Sequence, residues 1–322
     1  MLSEFELIAD YFTRPVRNTT RIGLGVGDDC ALLTPAPGMQ LAISTDMLVE
    51  GRHFFAGADA RLLGHKCLAV NLSDLAAMGA KPLAFTLALA LPEADPAWLD
   101  AFSRGMLDLA DLHQCELIGG DTTKGPLTIS ITIFGEVPLG QSLRRGAAQV
   151  GDDIWVSGTL GDARLALAGY RHEIELGEQE LEQAGARMHA PTPRIALGLQ
   201  LRGIAHAAID ISDGLSGDLQ HILDASHVGA TLQVDALPFG PILARQSQAL
   251  RRRYALAGGD DYELCFTAPA AQRAAVIAAA QQAKVAATRI GVIDEQAGLR
   301  LHDADNRDVM IDAPSFDHFN SP

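Results

Sequence analysis

A chain of 322 residues with 48% hydrophobic and only 20% charged side chains can bury two cores of ordinary domain size, which excludes wholesale disorder. A net charge of -15 excludes nucleic acid as a partner, because a phosphate backbone needs a basic face; it leaves nucleotides open, since divalent cations reverse the local field. Cys30, Cys67, Cys115 and Cys265 make no CxxC pair, the N-terminus has no leader pattern, and the most apolar stretch (82–92) is too short for a bilayer. A cytoplasmic protein with no membrane partner is expected.

Ser3 and Glu6 form a capping box, with Leu2 and Leu7 as its hydrophobic staple, for a helix reaching about Phe12. Strands are expected over 30–33 and 41–45. A helix over 60–79 puts Leu63, Cys67, Val70, Asp74 and Ala77 on one face. An acid on that apolar stripe requires a cation or a paired base. Residues 82–91 read as a buried strand, and Asp95-Pro96 opens a helix to about Gln114, as N-cap and first-turn proline. Strands follow over 116–118 and 127–137. The second alternates Leu127, Ile129, Ile131 and Ile133 with Thr128, Ser130 and Thr132.

The run PLGQSLRRGAAQVG is Gly-rich, basic and unpatterned, so it marks a boundary. A first domain over 1–138, a linker over 139–151 and a second domain over 152–322 are expected. Beyond the linker, strands over 154–157, 206–211, 262–267 and 288–293 alternate with helices over 162–170, 173–188, 193–202, 215–225 and 269–283. The fold class is therefore α/β (α+β), with strands and helices mixed in both domains and one site between them.

Aspartates recur after small residues: GVGDD (Asp28, Asp29), ISTDML (Asp46), NLSDLAAMGA (Asp74), IGGDTT (Asp121), IDISDG (Asp210, Asp213) and AGGDDYEL (Asp260, Asp261). Carboxylates in such company at the mouths of strands suit hard cations that meet a phosphate. Singly, each motif reads as a turn; six together favour a site. No P-loop, HRD, DFG, HExxH or GxSxG is found, and Gly23–Gly27 lacks the dinucleotide spacing. Asp46 with Ser44 and Thr45 offers three oxygens in a strand-end loop, and Asp29, Asp74, Asp210 and Asp213 can add carboxylates. Arg145 is a candidate phosphate clamp, with Arg144 beside it a solvated charge.

GVGDDCALL, LAISTDML…GRHF, LAVNLSDLAAMGAKP, LIGGDTTKGPL, AIDISDGLSGDL and GGDDYELCF together resemble the thiamine-monophosphate kinase family, in order and spacing, over nearly the whole chain. The resemblance implies a two-domain fold of the aminoimidazole-ribonucleotide-synthetase type, with mixed sheets flanked by helices. It implies transfer of phosphate from ATP to thiamine monophosphate, several Mg2+ ions, and a homodimer formed through the N-terminal domains. By position, Asp29, Ser44, Thr45, Asp46, Asp74, Asp121, Asp210 and Asp213 resemble the metal ligands. Gly120, Asp121, Arg145 and Ser212 resemble the ATP contacts, and His53, Asp260 and Phe316 the substrate contacts. Asp260 stands where Glu is usual and Phe316 where Tyr or Trp is usual. No general base is expected, because the acceptor phosphate is already anionic. Asp28 and Asp261 stay unassigned and read as turn residues. Another ATP-dependent enzyme of the superfamily, or a non-catalytic module binding metal or nucleotide, are the rival readings.

Overall fold

In the computed structural model, which describes residues 3–310, Ser3 and Glu6 cap each other. The Ser3 N–H donates to Glu6 Oε2 (2.8 Å) and the Glu6 N–H to Ser3 Oγ (3.3 Å). Helix α1 (Glu4–Leu7) follows and passes into a π-helical turn over Ile8–Phe12. Leu2 lies outside the described residues. The chain separates into two units: one runs to Leu75 and resumes over Ala80–Gly140, and the other takes Ala76–Gly79 and the chain from Gln141 onward.

In the first unit β1 (Ile22–Leu24) and β2 (Leu32–Leu33) form a small antiparallel pair. The main sheet holds β3 (Met39–Val49), β4 (Lys81–Leu91), β5 (Glu116–Lys124) and β6 (Thr128–Pro138) in the order β3-β6-β4-β5. Only β4 and β5 run parallel. The two-residue alternation of β6 is realised: Ile129, Ile131 and Ile133 are buried, whereas Thr128, Ser130 and Thr132 are partly exposed.

Two helices, α2 (Ala60–Ala77) and α3 (Pro96–His113), belong to the same run of chain. Asp95 caps α3 by accepting the Ala97 N–H (3.0 Å), and Gln114 ends it in the left-handed region at φ 53°. The helices approach closely at two glycines. A Cβ at Gly64 would overlap the Phe102 carbonyl, and one at Gly105 the Arg61 carbonyl. Helix α2 departs from the single apolar stripe expected of it. Leu68, Ala69, Asn71, Leu72 and Ser73 are buried along with Cys67 and Val70, so burial extends around most of its circumference.

Strand β5 also departs from expectation, continuing six residues beyond Ile118. Gly119, Gly120 and Asp121 are not a turn; they pair in parallel with Thr86, Leu87 and Ala88. Gly120 has φ 152°, and a Cβ there would overlap the Leu87 backbone, whereas one at Gly119 would make only ordinary contact with Thr86. Gly120→Ala should therefore cost about 3 kcal/mol, read as a lowered urea midpoint, while Gly119→Ala should stay within about 0.5 kcal/mol of the parent.

The second unit contains β7 (Asp152–Ser157), α4 (Asp162–Tyr170), α5 (Glu178–His189), α6 (Ile195–Gln200), β8 (Ala207–Asp210), α7 (Leu215–Ser226) and β9 (Gly229–Gln233). It continues through α8 (Gln248–Ala257), β10 (Leu264–Pro269), α9 (Arg273–Gln282), β11 (Ala287–Asp294) and β12 (Gly298–His302). Its sheet has the order β12-β9-β11-β7-β10-β8, antiparallel except for β12 with β9. Ile154, Val156, Leu165, Ile209, Leu219 and Leu232 are among the side chains of one continuous core. Both units thus mix parallel and antiparallel strands with helices, as expected. Strands β1, β9 and β12 and helix α8 were not anticipated from sequence.

Candidate active site

Asp46 does not lie in a strand-end loop. Strand β3 pairs with β6 without a break in register from Met39 to Val49, so Ser44, Thr45 and Asp46 are mid-strand. Successive side chains then point to opposite faces. Ser44 and Asp46 stand opposite the buried Ile133 and Ile131, while Thr45 stands opposite Thr132 and shares a hydrogen bond with its hydroxyl (2.8 Å). The three oxygens cannot all converge on one point. What does converge is polar side chains of α2 on β3: Ser44 Oγ donates a close hydrogen bond to the Asp74 carboxylate, and the Asp46 N–H donates to Asn71 Oδ1 (3.3 Å).

Gly120 and Asp121 lie on β5, at the other end of the strand order from β3; Asp121 is exposed and level with Ala88 and Ser130. Asp29 is exposed in the loop before β2, where its N–H donates to Asp28 Oδ1 (2.8 Å), so Asp28 serves the turn. His53 folds back on the end of β3, with Nδ1 accepting the Val49 N–H (3.0 Å). A neutral ring accepting at Nδ1 carries its proton at Nε2.

In the second unit two motifs meet. Asp210 closes β8, buried, and the loop Ile211–Gly214 leads into α7. The Asp260 N–H donates to the Ser212 carbonyl (2.9 Å), the Tyr262 N–H to that of Ile211 (2.8 Å), and the Ile211 N–H to that of Glu263 (2.8 Å). Gly259 permits this closeness, since a Cβ there would overlap the Ser212 carbonyl. Ser212, Asp213 and Asp260 are thereby carried by two laced loops. Asp260 and Tyr262 both have left-handed backbones, φ 67° and 49°, and the Tyr262 hydroxyl donates to Asp260 Oδ1 (3.1 Å).

Asp261 is not a surface turn residue. It is buried, both carboxylate oxygens accept the Gly161 N–H (2.9 and 3.0 Å), and burial raises its pKa well above the usual range, with that N–H bond opposing. It pins the loop to the start of α4. Next along the chain Glu263 is fully buried, accepting from Ser157 Oγ (2.6 Å), Arg187 Nη2 (2.9 Å) and Arg194 Nε (2.6 Å).

Asp218, in the first turn of α7, is likewise buried, and its Oδ2 accepts the N–H groups of Ser212, Asp213 and Gly214. Burial and the Asp213 charge push its carboxyl up to about 7, against the pull of those three bonds. Asp218 stands within AIDISDGLSGDL and Tyr262 and Glu263 within GGDDYELCF, but what each of them holds is set by how the loops fold, so composition and spacing single none of them out.

Arg145 is not brought to Ser212. It is exposed in a short turn whose carbonyl accepts from Ser226 Oγ (2.9 Å) at the C-terminal end of α7, and the helix's 12 residues span about 18 Å. Phe316 lies outside the described residues. Among the described residues no three His, Cys, Asp or Glu side chains gather closely enough to cage an ion.

The AIR synthase related protein N-terminal domain matches residues 27–137, and its C-terminal domain matches 149–304. The thiamine-monophosphate kinase of Escherichia coli is 45% identical over 323 residues, covering 99% of each chain. This chain belongs to the thiamine-monophosphate kinase family. The crystal structure of the family's member from Stenotrophomonas maltophilia K279a superposes with a TM-score of 0.84 at 48% identity, covering 91% of this chain and 93% of that one. AaThiL complexed with AMPPCP and TMP superposes with a TM-score of 0.75 at 29% identity, covering 88% of each.

Proposed function

We propose that this chain transfers the γ-phosphoryl group of ATP to thiamine monophosphate, giving thiamine diphosphate. The full-length likeness to the E. coli kinase carries the reading, and the laced loops that hold Ser212 and Asp213 beside Asp260 agree with it. In the proposed assignment Ser212, Gly120, Asp121 and Arg145 serve ATP, while His53, Asp260 and Phe316 serve the acceptor. The first domain covers 1–138 and the second 152–322, joined by 139–151.

The proposed donors Asp29, Ser44, Thr45, Asp46, Asp74, Asp121, Asp210 and Asp213 are all oxygen, which fits several hard cations rather than one, with the Thr45 side chain on the opposite face of β3 from Ser44 and Asp46. Mg2+ is held by one or two carboxylates with phosphate and water more readily than by an all-protein cage. When bound, it supplies charge neutralisation between two phosphate groups. The chain's own share is orientation. Ser44 fixes the Asp74 carboxylate, Tyr262 fixes that of Asp260, and His53 offers a ring pinned at Nδ1. The acceptor oxygen needs no base.

Incubating the purified protein with ATP, magnesium chloride and thiamine monophosphate, with ADP and thiamine diphosphate followed by chromatography, tests the proposal. One diphosphate per ADP is expected. Binding of both ligands without product would favour a non-catalytic module.

A cytoplasmic homodimer is part of the same proposal. Among the described residues no helix is long and apolar enough to cross a membrane, and the four cysteines are unpaired. Ile43 and Met47 stand 59% and 56% exposed on one face of β3, at the end of its sheet. A second copy would bury them. Ile43→Lys should convert the dimer to a monomer in size-exclusion chromatography with light scattering; an unchanged mass would place the interface elsewhere.

A further inference from the structure

Ser212 and Asp213 owe their placement to a residue outside the contacts assigned above. The N–H groups of Ser212, Asp213 and Gly214 reach a single oxygen, Asp218 Oδ2, at 3.1, 3.2 and 3.1 Å. Three consecutive backbone donors converge only when the chain is bent into a concave nest, and an anionic oxygen is what fills it. Gly214 makes the bend possible: it has φ 120°, and a Cβ there would press on the Ala257 backbone at 2.9 Å. Asp218 is itself fastened, because its N–H donates to the Gly214 carbonyl (3.0 Å) in the first turn of α7, where a carboxylate is favoured by the helix dipole. On its far side the loop is tied by the Ser212 carbonyl to the Asp260 N–H.

We infer that Asp218 is a positioning residue of the phosphoryl-transfer site, holding the Ser212–Gly214 backbone in the conformation that presents Ser212 and Asp213 to the metal–nucleotide and, through Ser212, sets Asp260 for the acceptor. It donates nothing to either substrate and acts through the loop. The inference rests on the proposed kinase reading for what the loop binds, but not for the loop's shape.

A purely structural aspartate provides the contrast. Asp152 is equally buried and also organises its surroundings, accepting from the Gln149 N–H (3.0 Å), Thr267 Oγ1 (3.2 Å) and His206. Asp218→Asn keeps the volume but puts an amide, with a single weaker acceptor oxygen, where three N–H groups meet a carboxyl oxygen. Amide hydrogen exchange at Ser212, Asp213 and Gly214 should accelerate about tenfold or more. In calorimetry AMPPCP with magnesium should bind about tenfold or more weakly, with KM for ATP rising in parallel. Asp152→Asn should lower the melting temperature and leave those amides and that affinity unchanged. If Asp218→Asn does not fold, Gly214→Ala disturbs the same nest from outside and should weaken AMPPCP similarly.

Parent-like amide protection and AMPPCP affinity in Asp218→Asn, or parent-like affinity in Gly214→Ala, overturns the inference. An equal loss of affinity in Asp152→Asn also overturns it, reducing Asp218 to general stability. If instead the parent protein makes no thiamine diphosphate, the kinase reading falls, while the exchange data still report on the loop.

Discussion

Replacing Asp46 or Asp121 by Asn should lower turnover about a hundredfold or more at saturating magnesium while leaving the fold intact. Each change conserves shape and removes one negative charge from the proposed oxygen donor set. Asp121 is exposed and Asp46 only half-buried, so neither substitution strips a core. The loss should fall on kcat more than on KM for thiamine monophosphate, because charge neutralisation matters most as the phosphoryl group moves. Steady-state rates of diphosphate formation, with circular dichroism as the check on folding, measure both parts. Near-normal turnover in both variants would end the assignment of these acids to metal. Ser44→Ala and Thr45→Ala should differ. Ser44 holds the Asp74 carboxylate, whereas Thr45 faces Thr132 on the other side of β3. The larger loss is expected for Ser44; equal losses would mean that the two faces of the strand serve the site alike.

How much of this was legible in the sequence depended on whether a local signal had a local cause. Helix α3 was legible at both ends because Asp95 and Gln114 do their work within one turn of the chain. The alternation in β6 was legible because a sheet buried on one face imposes period two on each strand separately. Gly119-Gly120-Asp121 misled for the opposite reason. Glycine before an acid is turn chemistry locally, but at Gly120 the missing side chain is required by the Leu87 backbone on a neighbouring strand. Ser44-Thr45-Asp46 misled in the same way, since pairing with β6 carries the strand through residues that favour loops. The candidate acids stand out in the sequence, but what holds them in the fold does not. Glu263 acts on side chains brought close by the fold, and Asp218 on the backbone four to six residues before it in a loop whose bend the composition does not announce.

Glu263→Ala should be among the most destabilising single changes available in the second unit, costing about 3–5 kcal/mol. The carboxylate is fully buried and bound by Ser157, Arg187 and Arg194, the last through both Nε and Nη2. It also fills the space over Gly158, where a Cβ would overlap its oxygens. Truncation therefore leaves a cavity, an orphaned hydroxyl and two guanidinium groups that are mostly enclosed and have lost their anion. Glu263→Gln keeps the volume and part of the hydrogen bonding, so about 2 kcal/mol is expected for the lost charge. The remedy distinguishes charge from shape. Adding Arg194→Met to Glu263→Ala removes one stranded cation and should recover part of the loss, even though it deletes another side chain's polar contacts. Urea titrations of the three variants against the parent give the comparison directly. Because Arg187 Nη2 donates both to the Glu263 carboxylate (2.9 Å) and to the Asp261 carbonyl (3.1 Å) in the neighbouring loop, the Ala variant should also lose activity before it unfolds. A stability loss below about 1 kcal/mol would show that water already reaches both arginines well enough to replace the carboxylate.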